Sequence, residues 1–211
     1  MNQPTNIYIG LDLSVTGTGF FAVAEHNGEM LATRATFGNA KLRYAERLAY
    51  LQQRLRDTVG QAKTGVCAGP SILWVGIEDY AMNAKGRVTT LAEWGGVARI
   101  TLLEYRARVL SVAPSTLKAW TAGHGHSDKS QMASAIGPRM QQLGWPANML
   151  PTNASKDEVD ACALALLVRE RVRLESGTSS ESAASRKFLR VPAWEGAYAR
   201  EKVKPGPKRS R

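Results

Sequence analysis

The chain has 211 residues, of which 44% are apolar, a length and composition typical of a soluble globular protein with one well-filled core. It has no apolar run of about 18 residues and no basic-then-apolar leader. These features argue against a membrane-bound or exported protein and predict a cytoplasmic one. The net charge of +10 favours a polyanionic partner.

The start of the chain predicts an antiparallel meander of three strands. Residues 6–14 form an apolar, β-branched run, 14–19 a glycine-rich turn, and 19–25 a second apolar run. The Asn-Gly pair within 26–29 predicts a hairpin that leads into a third strand near 30–37.

The rest of the chain alternates between predicted helices and strands. In order, these are a helix at 40–59, a strand at 71–79, a helix at 88–108, a strand at 108–113, and helices at 114–121, 127–143 and 155–175. Together the elements predict an α/β protein with a mixed five-stranded sheet flanked by helices. This order matches the ribonuclease H-like fold, and it also matches half of an actin-like ATPase domain.

Most of the excess charge lies at the C-terminal end. Residues 186–211 contain nine Lys and Arg residues against two acids, and residues 176–185 are rich in Ser. We therefore expect one folded domain over 1–175, followed over 176–211 by a Ser-rich linker and a basic, flexible tail.

Four carboxylates occupy positions from which they can meet. Asp12 lies within the apolar first strand and Glu78 ends the apolar 71–79 run, so neighbouring central strands would hold them side by side. Asp157 and Asp160 lie three residues apart, which puts them on one face of the last helix. Such crowded acids repel one another unless cations neutralise them, and hard divalent cations prefer oxygen ligands. Two Mg²⁺ ions held this way suit displacement at phosphorus.

Four stretches of the sequence, "GLDLSVTGTGF", "VGIEDYAM", "APSTLKAWTAGHGHSDKSQM" and "KDEVDACALAL", together resemble the RuvC family of Holliday junction resolvases. The resemblance spans about residues 6–170 and implies a nuclease domain over 1–175 with a ribonuclease H-like fold. It implies two Mg²⁺ ions, for which Mn²⁺ substitutes, and a homodimer that acts on branched DNA, especially four-way junctions. Paired symmetric nicks would leave 5′-phosphate and 3′-hydroxyl ends. The short turn "DLSVTGTG" is closer to the phage-encoded branch, which implies the cytoplasm of a phage-infected bacterium.

The resemblance also assigns roles to individual residues. Its metal-binding catalytic acids correspond to Asp12, Glu78, Asp157 and Asp160.

The residues expected to contact DNA lie in two segments. Lys118 and Lys129 correspond to the family's active-site lysines, and they flank a glycine-containing loop that a phosphate can approach closely. Tyr80 is the candidate aromatic residue at the junction centre, one position away from the usual one. Lys85 and Arg87 are further predicted DNA contacts.

Two other functions fit parts of the sequence. A non-catalytic protein that binds branched DNA would retain vestigial acids, and the intact set of four acids argues against it. The segment "GLDLSVTGTG" also fits an actin-like ATPase or a sugar kinase. That fold needs two such domains and a second phosphate loop, which 211 residues do not supply.

Overall fold

The computed structural model describes residues 4–26, 28–65, 70–79, 88–150, 152–179, 181–189 and 194–196. The strands are β1 (Thr5–Asp12), β2 (Thr18–His26), β3 (Glu29–Phe37), β4 (Ser71–Glu78), β5 (Arg108–Val112) and β6 (Trp194–Gly196). The helices are α1 (Tyr44–Thr64), α2 (Val88–Glu104), α3 (Pro114–Ala122), α4 (Lys129–Gln142), α5 (Lys156–Glu175) and α6 (Ala183–Leu189). No described helix combines the length and hydropathy needed to cross a membrane.

The strands form one mixed sheet in the order β3-β2-β1-β4-β5-β6. Strands β1, β2 and β3 are antiparallel neighbours, whereas β4 runs parallel to both β1 and β5. The predicted α/β class, the opening meander and the central pairing of the first and fourth strands are confirmed. Among the described residues, however, the sheet has six strands and not the five that the sequence predicts.

The sixth strand comes from the segment predicted to be a linker and a flexible tail. Strand β6 pairs antiparallel with β5, and its Trp194 is 4% exposed and packs edge-on against Trp74 with ring centroids 5.0 Å apart. Just before α6, Glu181 forms a buried ion pair with Arg139 at 2.5 Å. The described part of 176–211 therefore packs on the domain. A seven-residue helix and a three-residue strand are too short to show periodicity in a Ser-rich segment.

Both faces of the sheet are covered, which explains the nearly continuous apolar strands. Along β1, Ile7 and Ile9 face a core formed with α1 and α2, while Tyr8 faces the core formed with α3, α4 and α5. Three tryptophans are 0–4% exposed and pack within these two cores: Trp94, Trp120 and Trp145.

Candidate active site

Two of the predicted acids end neighbouring parallel strands. Asp12 is the last residue of β1 and Glu78 the last of β4, and the pairing of Leu11 with Ile77 brings both acids to the same edge of the sheet. Each is half-buried. The carboxyl ends of parallel strands are a common position for active-site groups in α/β proteins.

The other two acids belong to the first turns of α5, which starts with a capping box. Ser155 is the N-cap and accepts a hydrogen bond from the Glu158 backbone N–H, while the Glu158 carboxylate accepts one from the Ser155 N–H. Glu158 also pairs with Arg34 at 2.8 Å. Glu158 thus serves the helix end and leaves Asp157 and Asp160 on the side of the cluster.

Glycines in the sheet let α5 approach closely enough for its acids to reach the strand ends. A Cβ atom on Gly10 of β1 would overlap the carbonyl oxygen of Ala161 and lie 2.7 Å from the Ala165 nitrogen. On β4, a Cβ on Gly76 would lie 2.7 Å from Cγ2 of Val168. Gly10 and Gly76 are paired across the two strands. The helix therefore rests directly on strand backbone at this point.

A third glycine seats the first turn of the helix. A Cβ on Gly19 of β2 would overlap the backbone carbonyl of Asp157, so this strand also has no room for a side chain beneath α5. Thr18 anchors the turn between Asp12 and β2: its hydroxyl donates to the Ser14 carbonyl at 2.5 Å and accepts from Trp94 Nε1 at 3.0 Å.

Two lysines on α3 and α4 face the acids. Lys118 and Lys129 line a pocket of about 200 Å³ together with Asp12, Glu78 and Asp160. Apolar side chains complete its wall: Pro114, Leu117 and Met132. The structure thus brings together three of the four predicted acids and both predicted lysines.

The fourth acid, Asp157, joins the cluster through Lys129. The Lys129 Nζ lies 3.0 Å from Oδ1 of Asp157 and 4.0 Å from Oδ2 of Asp160. Lys129 is the first residue of α4, where the Asp128 side chain caps the helix by accepting from the N–H groups of Ser130 and Gln131. The cap fixes the position from which the lysine reaches across to α5.

Burial and mutual repulsion make ionisation of the acids costly. Burial, followed by the charges of Glu78, Asp160 and Asp157, raises the pKa of Asp12 to about 8. Burial and the charge of Asp160 raise the pKa of Glu78 to about 7, although both lysines oppose the shift. Burial also raises the pKa of Asp160 against the opposing charge of Lys129.

The lysine responds in the complementary direction. Partial burial lowers the pKa of Lys129, but its hydrogen bond to Asp157 and the charges of Asp157, Asp12 and Asp160 outweigh this, so the pKa is raised overall. Lys129 therefore remains protonated, and one ammonium group offsets only part of the charge of four carboxylates.

The donor set fits hard divalent cations, which bind carboxylate oxygens. Within the part of the chain that the structure describes, no three acidic, imidazole or thiol side chains stand close enough to enclose one ion as arranged. The acids lie instead around a pocket and beside Lys129.

Three residues predicted to bind DNA, namely Tyr80, Lys85 and Arg87, lie outside the described residues. Of the two loop histidines, His124 bonds Ser127 through its ring Nδ1 and His126 is exposed, and neither lines the pocket.

The glycines under α5 are functional positions that were not among the residues predicted from the sequence. The available signal was a glycine within each of the three central strands, at Gly10, Gly19 and Gly76, combined with alanines at 161, 163 and 165 of the facing helix. Isolated glycines in strands mark close approach of another backbone.

No family model matches the chain. Among curated proteins, it is 24% identical over 160 residues to the crossover junction endodeoxyribonuclease RuvC of Prochlorococcus marinus, a match that spans 75% of this chain and 94% of that protein. It is 33% identical over 106 residues to the crossover junction endodeoxyribonuclease RuvC of Wolinella succinogenes, spanning 49% of this chain and 60% of that protein.

Solved structures show the same likeness in three dimensions. The chain superposes on Thermus thermophilus RuvC with a TM-score of 0.58 at 21% identity, covering 82% of this chain and 97% of that one. Against T. thermophilus RuvC in complex with a Holliday junction substrate the TM-score is 0.59 at 19% identity, covering 83% and 98%. The chain is thus similar in sequence to the RuvC crossover junction endodeoxyribonucleases and shares the ribonuclease H-like α/β fold of the solved RuvC structures.

Proposed function

We propose that the protein is a divalent-metal-dependent endonuclease that resolves four-way DNA junctions by paired, symmetric nicks. The observation that carries the proposal is the pocket in which Asp12, Glu78 and Asp160 face Lys118 and Lys129. The likeness to crossover junction endodeoxyribonucleases along 94% of one relative supports the substrate class. Other branched DNA molecules with the same local geometry are candidate substrates as well.

In this proposal Asp12, Glu78, Asp157 and Asp160 hold two Mg²⁺ ions, or Mn²⁺ in their place. Bound metal would supply a water activated for attack on the scissile phosphate and would neutralise charge on the departing 3′ oxygen, leaving 5′-phosphate and 3′-hydroxyl ends. The acids at the strand ends hold position because β1 and β4 are central strands. The acids of α5 hold position because glycines seat that helix on the sheet.

The two lysines have separate tasks in the proposed reaction. Lys129 pairs with Asp157 and lies within 4.0 Å of Asp160, so it neutralises the α5 side of the cluster in the metal-free protein. With cations held by the four acids, the ammonium group of Lys129 would be available to contact a phosphate oxygen. Lys118 is half-buried on α3. Its charge opposes the rise in the pKa of Glu78 and adds a second positive charge to the pocket.

Two symmetric nicks require two active sites, and one site per chain implies a homodimer. Helix α2 offers a surface for this purpose. Its Ile100 is 61% exposed and its Leu103 48% exposed, and residues three apart share one face of a helix. Exposed apolar pairs of this kind are typical of association surfaces.

The basic C-terminal end completes the proposal. In this proposal the nuclease unit extends beyond residue 175 and includes β6, because the buried Trp194 packs on Trp74 of the central sheet. Residues 197–211 contain six Lys and Arg residues against one acid. We assign to them an electrostatic contact with DNA phosphates, which adds affinity without sequence preference.

The deciding experiment incubates the purified full chain with a synthetic four-way junction in Mg²⁺ and in EDTA. We expect paired nicks in Mg²⁺ and none in EDTA, and loss of nicking in Asp160→Asn with junction binding retained. Asp79→Asn is the matched control, since Asp79 follows Glu78 but does not line the pocket. Binding without cleavage by the wild type would favour a non-catalytic junction-binding protein, and absence of both would reject the proposal.

A further inference from the structure

The first residue of α1 is unusual in both its exposure and its backbone conformation. Tyr44 is 89% exposed, well above the other exposed large apolar residues in the described part of the chain, Leu31, Ile100 and Leu103. Its φ angle of 47° lies in the left-handed region, which disfavours residues with a bulky side chain. The exposed ring makes no contribution to the core. Strained backbone conformations such as that of Tyr44 concentrate at functional positions.

Tyr44 stands at one end of a groove. One cavity of about 320 Å³ is lined by Arg43, Tyr44, Arg47 and Thr90 among others, and a neighbouring cavity of about 260 Å³ is lined by Val15, Thr16, Arg47 and Thr90. The two cavities share Arg47 and Thr90 and are therefore adjacent, and together they are called the groove below.

The other end of this groove reaches the edge of the acidic cluster. Val15 and Thr16 belong to the turn that directly follows β1 and its terminal Asp12. In the same turn, a Cβ atom on Gly17 would lie 3.1 Å from Oδ2 of Asp157. A chain lying in the groove would thus run from the Tyr44 ring to the acids.

The charge along the groove suits a phosphate backbone. Lys41 and Arg43 are exposed beside it. Arg47 donates from Nε to the Leu42 carbonyl at 2.7 Å, which holds the loop that carries the other two basic residues. Glu93 is the one acid among the described residues that line the two cavities. Aromatic rings next to basic side chains are the usual means of binding unpaired nucleotides.

We propose that this groove binds one strand of the branched DNA, with an unpaired base near the branch point stacked on Tyr44 and its phosphate contacted by Arg43. The proposal rests on the proposed nuclease function and adds to it a strand-binding path that leads to the metal cluster. A second copy of the chain is the alternative occupant. The exposed basic residues Lys41 and Arg43, and the short distance from the turn at 15–17 to Asp157, favour DNA.

The test compares Tyr44→Phe, Tyr44→Ala and Tyr44→Gly with wild type on a four-way junction carrying 2-aminopurine beside the branch point, with Ca²⁺ in place of Mg²⁺. We expect quenching of 2-aminopurine fluorescence in wild type and Tyr44→Phe and its loss in the other two. Affinity should fall by about tenfold in Tyr44→Ala. Arg43→Ala should reduce the slope of log K against log salt by about 0.7, the value for one phosphate contact on a single strand.

Two further measurements separate the proposal from its rivals. Tyr44→Gly should bind DNA as weakly as Tyr44→Ala yet unfold at an unchanged or higher temperature, because glycine adopts a positive φ without strain. Leu31→Ala is the control, since Leu31 is 51% exposed on β3 and does not line the groove. It should change neither affinity nor quenching.

The outcomes distinguish this proposal from the proposed nuclease function. If wild type cuts the junction but Tyr44→Ala binds within twofold of wild type and still quenches, the groove proposal is overturned and the nuclease function stands. If Tyr44→Ala alters the dimer dissociation constant and leaves DNA affinity unchanged, the occupant is a second copy and the DNA proposal is rejected. If wild type neither binds nor cuts the junction, both proposals fall.

Discussion

Gly10 of the first strand and Ala161 of the last long helix are in backbone contact: a single Cβ atom on Gly10 would overlap the Ala161 carbonyl oxygen. The contact lies between Asp12, two residues along β1, and Asp160, the residue before Ala161. It therefore sets the separation between the acids of the sheet and those of the helix.

Gly10→Ala should move α5 away from the sheet and lower the free energy of unfolding by about 1–3 kcal/mol, the usual cost of forcing an extra methyl group into a packed interior. The rate of junction cleavage should fall by a larger factor than the loss of stability explains, because the acids on α5 move together away from those on the sheet. Chemical denaturation and single-turnover cleavage would measure the two effects. Gly60→Ala is the control: Gly60 lies in α1, and a Cβ added there would have nothing within 4 Å, so alanine should stabilise the helix by up to about 1 kcal/mol.

Metal affinity should rise with pH through the range 6–8. Asp12 and Glu78, with pKa values of about 8 and about 7, hold protons at low pH that a cation must displace. Affinity should therefore increase as pH rises and level off above about pH 9, where both carboxylates are largely ionised. Calorimetric titration of Mg²⁺ or Mn²⁺ in buffers of different ionisation enthalpy should count more protons released at pH 7 than at pH 9. An affinity that is constant between pH 6 and 8 would contradict the raised pKa values.

Lys129→Met should slow cleavage much more than it weakens junction binding. A positioned ammonium matters most where charge develops in the transition state, and loss of one such group costs about 100-fold or more in rate. Binding is shared among many basic side chains and should change by less than about threefold. Arg at this position should restore the rate only in part, because its planar fork does not reproduce a compact charge. Single-turnover cleavage in Mg²⁺ and a binding titration in Ca²⁺ separate the two effects, and a variant within twofold of wild type on both would remove Lys129 from the site.

Ending the chain after Glu175 should destabilise the protein, whereas ending it after Gly196 should not. The chain that ends at Glu175 lacks Glu181, the ion-pair partner of Arg139, and loss of one partner of a buried pair costs about 3–5 kcal/mol. It also exposes Trp74, which Trp194 covers. Thermal unfolding of the two truncated chains checks this expectation. The chain that ends at Gly196 should differ from the full chain only in a flatter dependence of DNA affinity on salt. Equal stability of the two shortened chains would show that α6 and β6 do not support the core.

Ile100→Asp should weaken the dimer by at least tenfold, because it places a charge in the apolar surface that we assign to the interface. Analytical ultracentrifugation over a range of protein concentrations would measure the change. Leu31→Asp, at an exposed apolar position on β3, should leave association unaltered. A monomeric Ile100→Asp protein should still bind a junction arm but should lose the coupling between the two nicks. If both variants associate as wild type does, α2 is not the interface.

Elements with clear periodicity could be predicted from the sequence, and so could the acids that lie on them. The apolar runs around Asp12 and before Glu78 indicate buried strands, and a buried acid without a partner is costly wherever the strand lies. The capping box at Ser155 likewise depends on neighbours three residues apart, so local geometry alone settles the role of Glu158. These features depend on chain-local spacing, which the order of residues determines.

The tertiary structure alone decided contacts between residues far apart in the chain. Packing of Gly10 against Ala161 joins positions 151 residues apart, and the reach of Lys129 to Asp157 depends on how α4 and α5 cross. Strand β6 is too short to show periodicity in the sequence. It forms because Trp194 packs on Trp74 and because the edge of β5 offers backbone hydrogen bonds. Sequence thus determined which residues must be buried, capped or charged. Long-range packing decides which of these residues come into contact. The free energy of that packing comes from burying apolar surfaces that exist only once the sheet has formed.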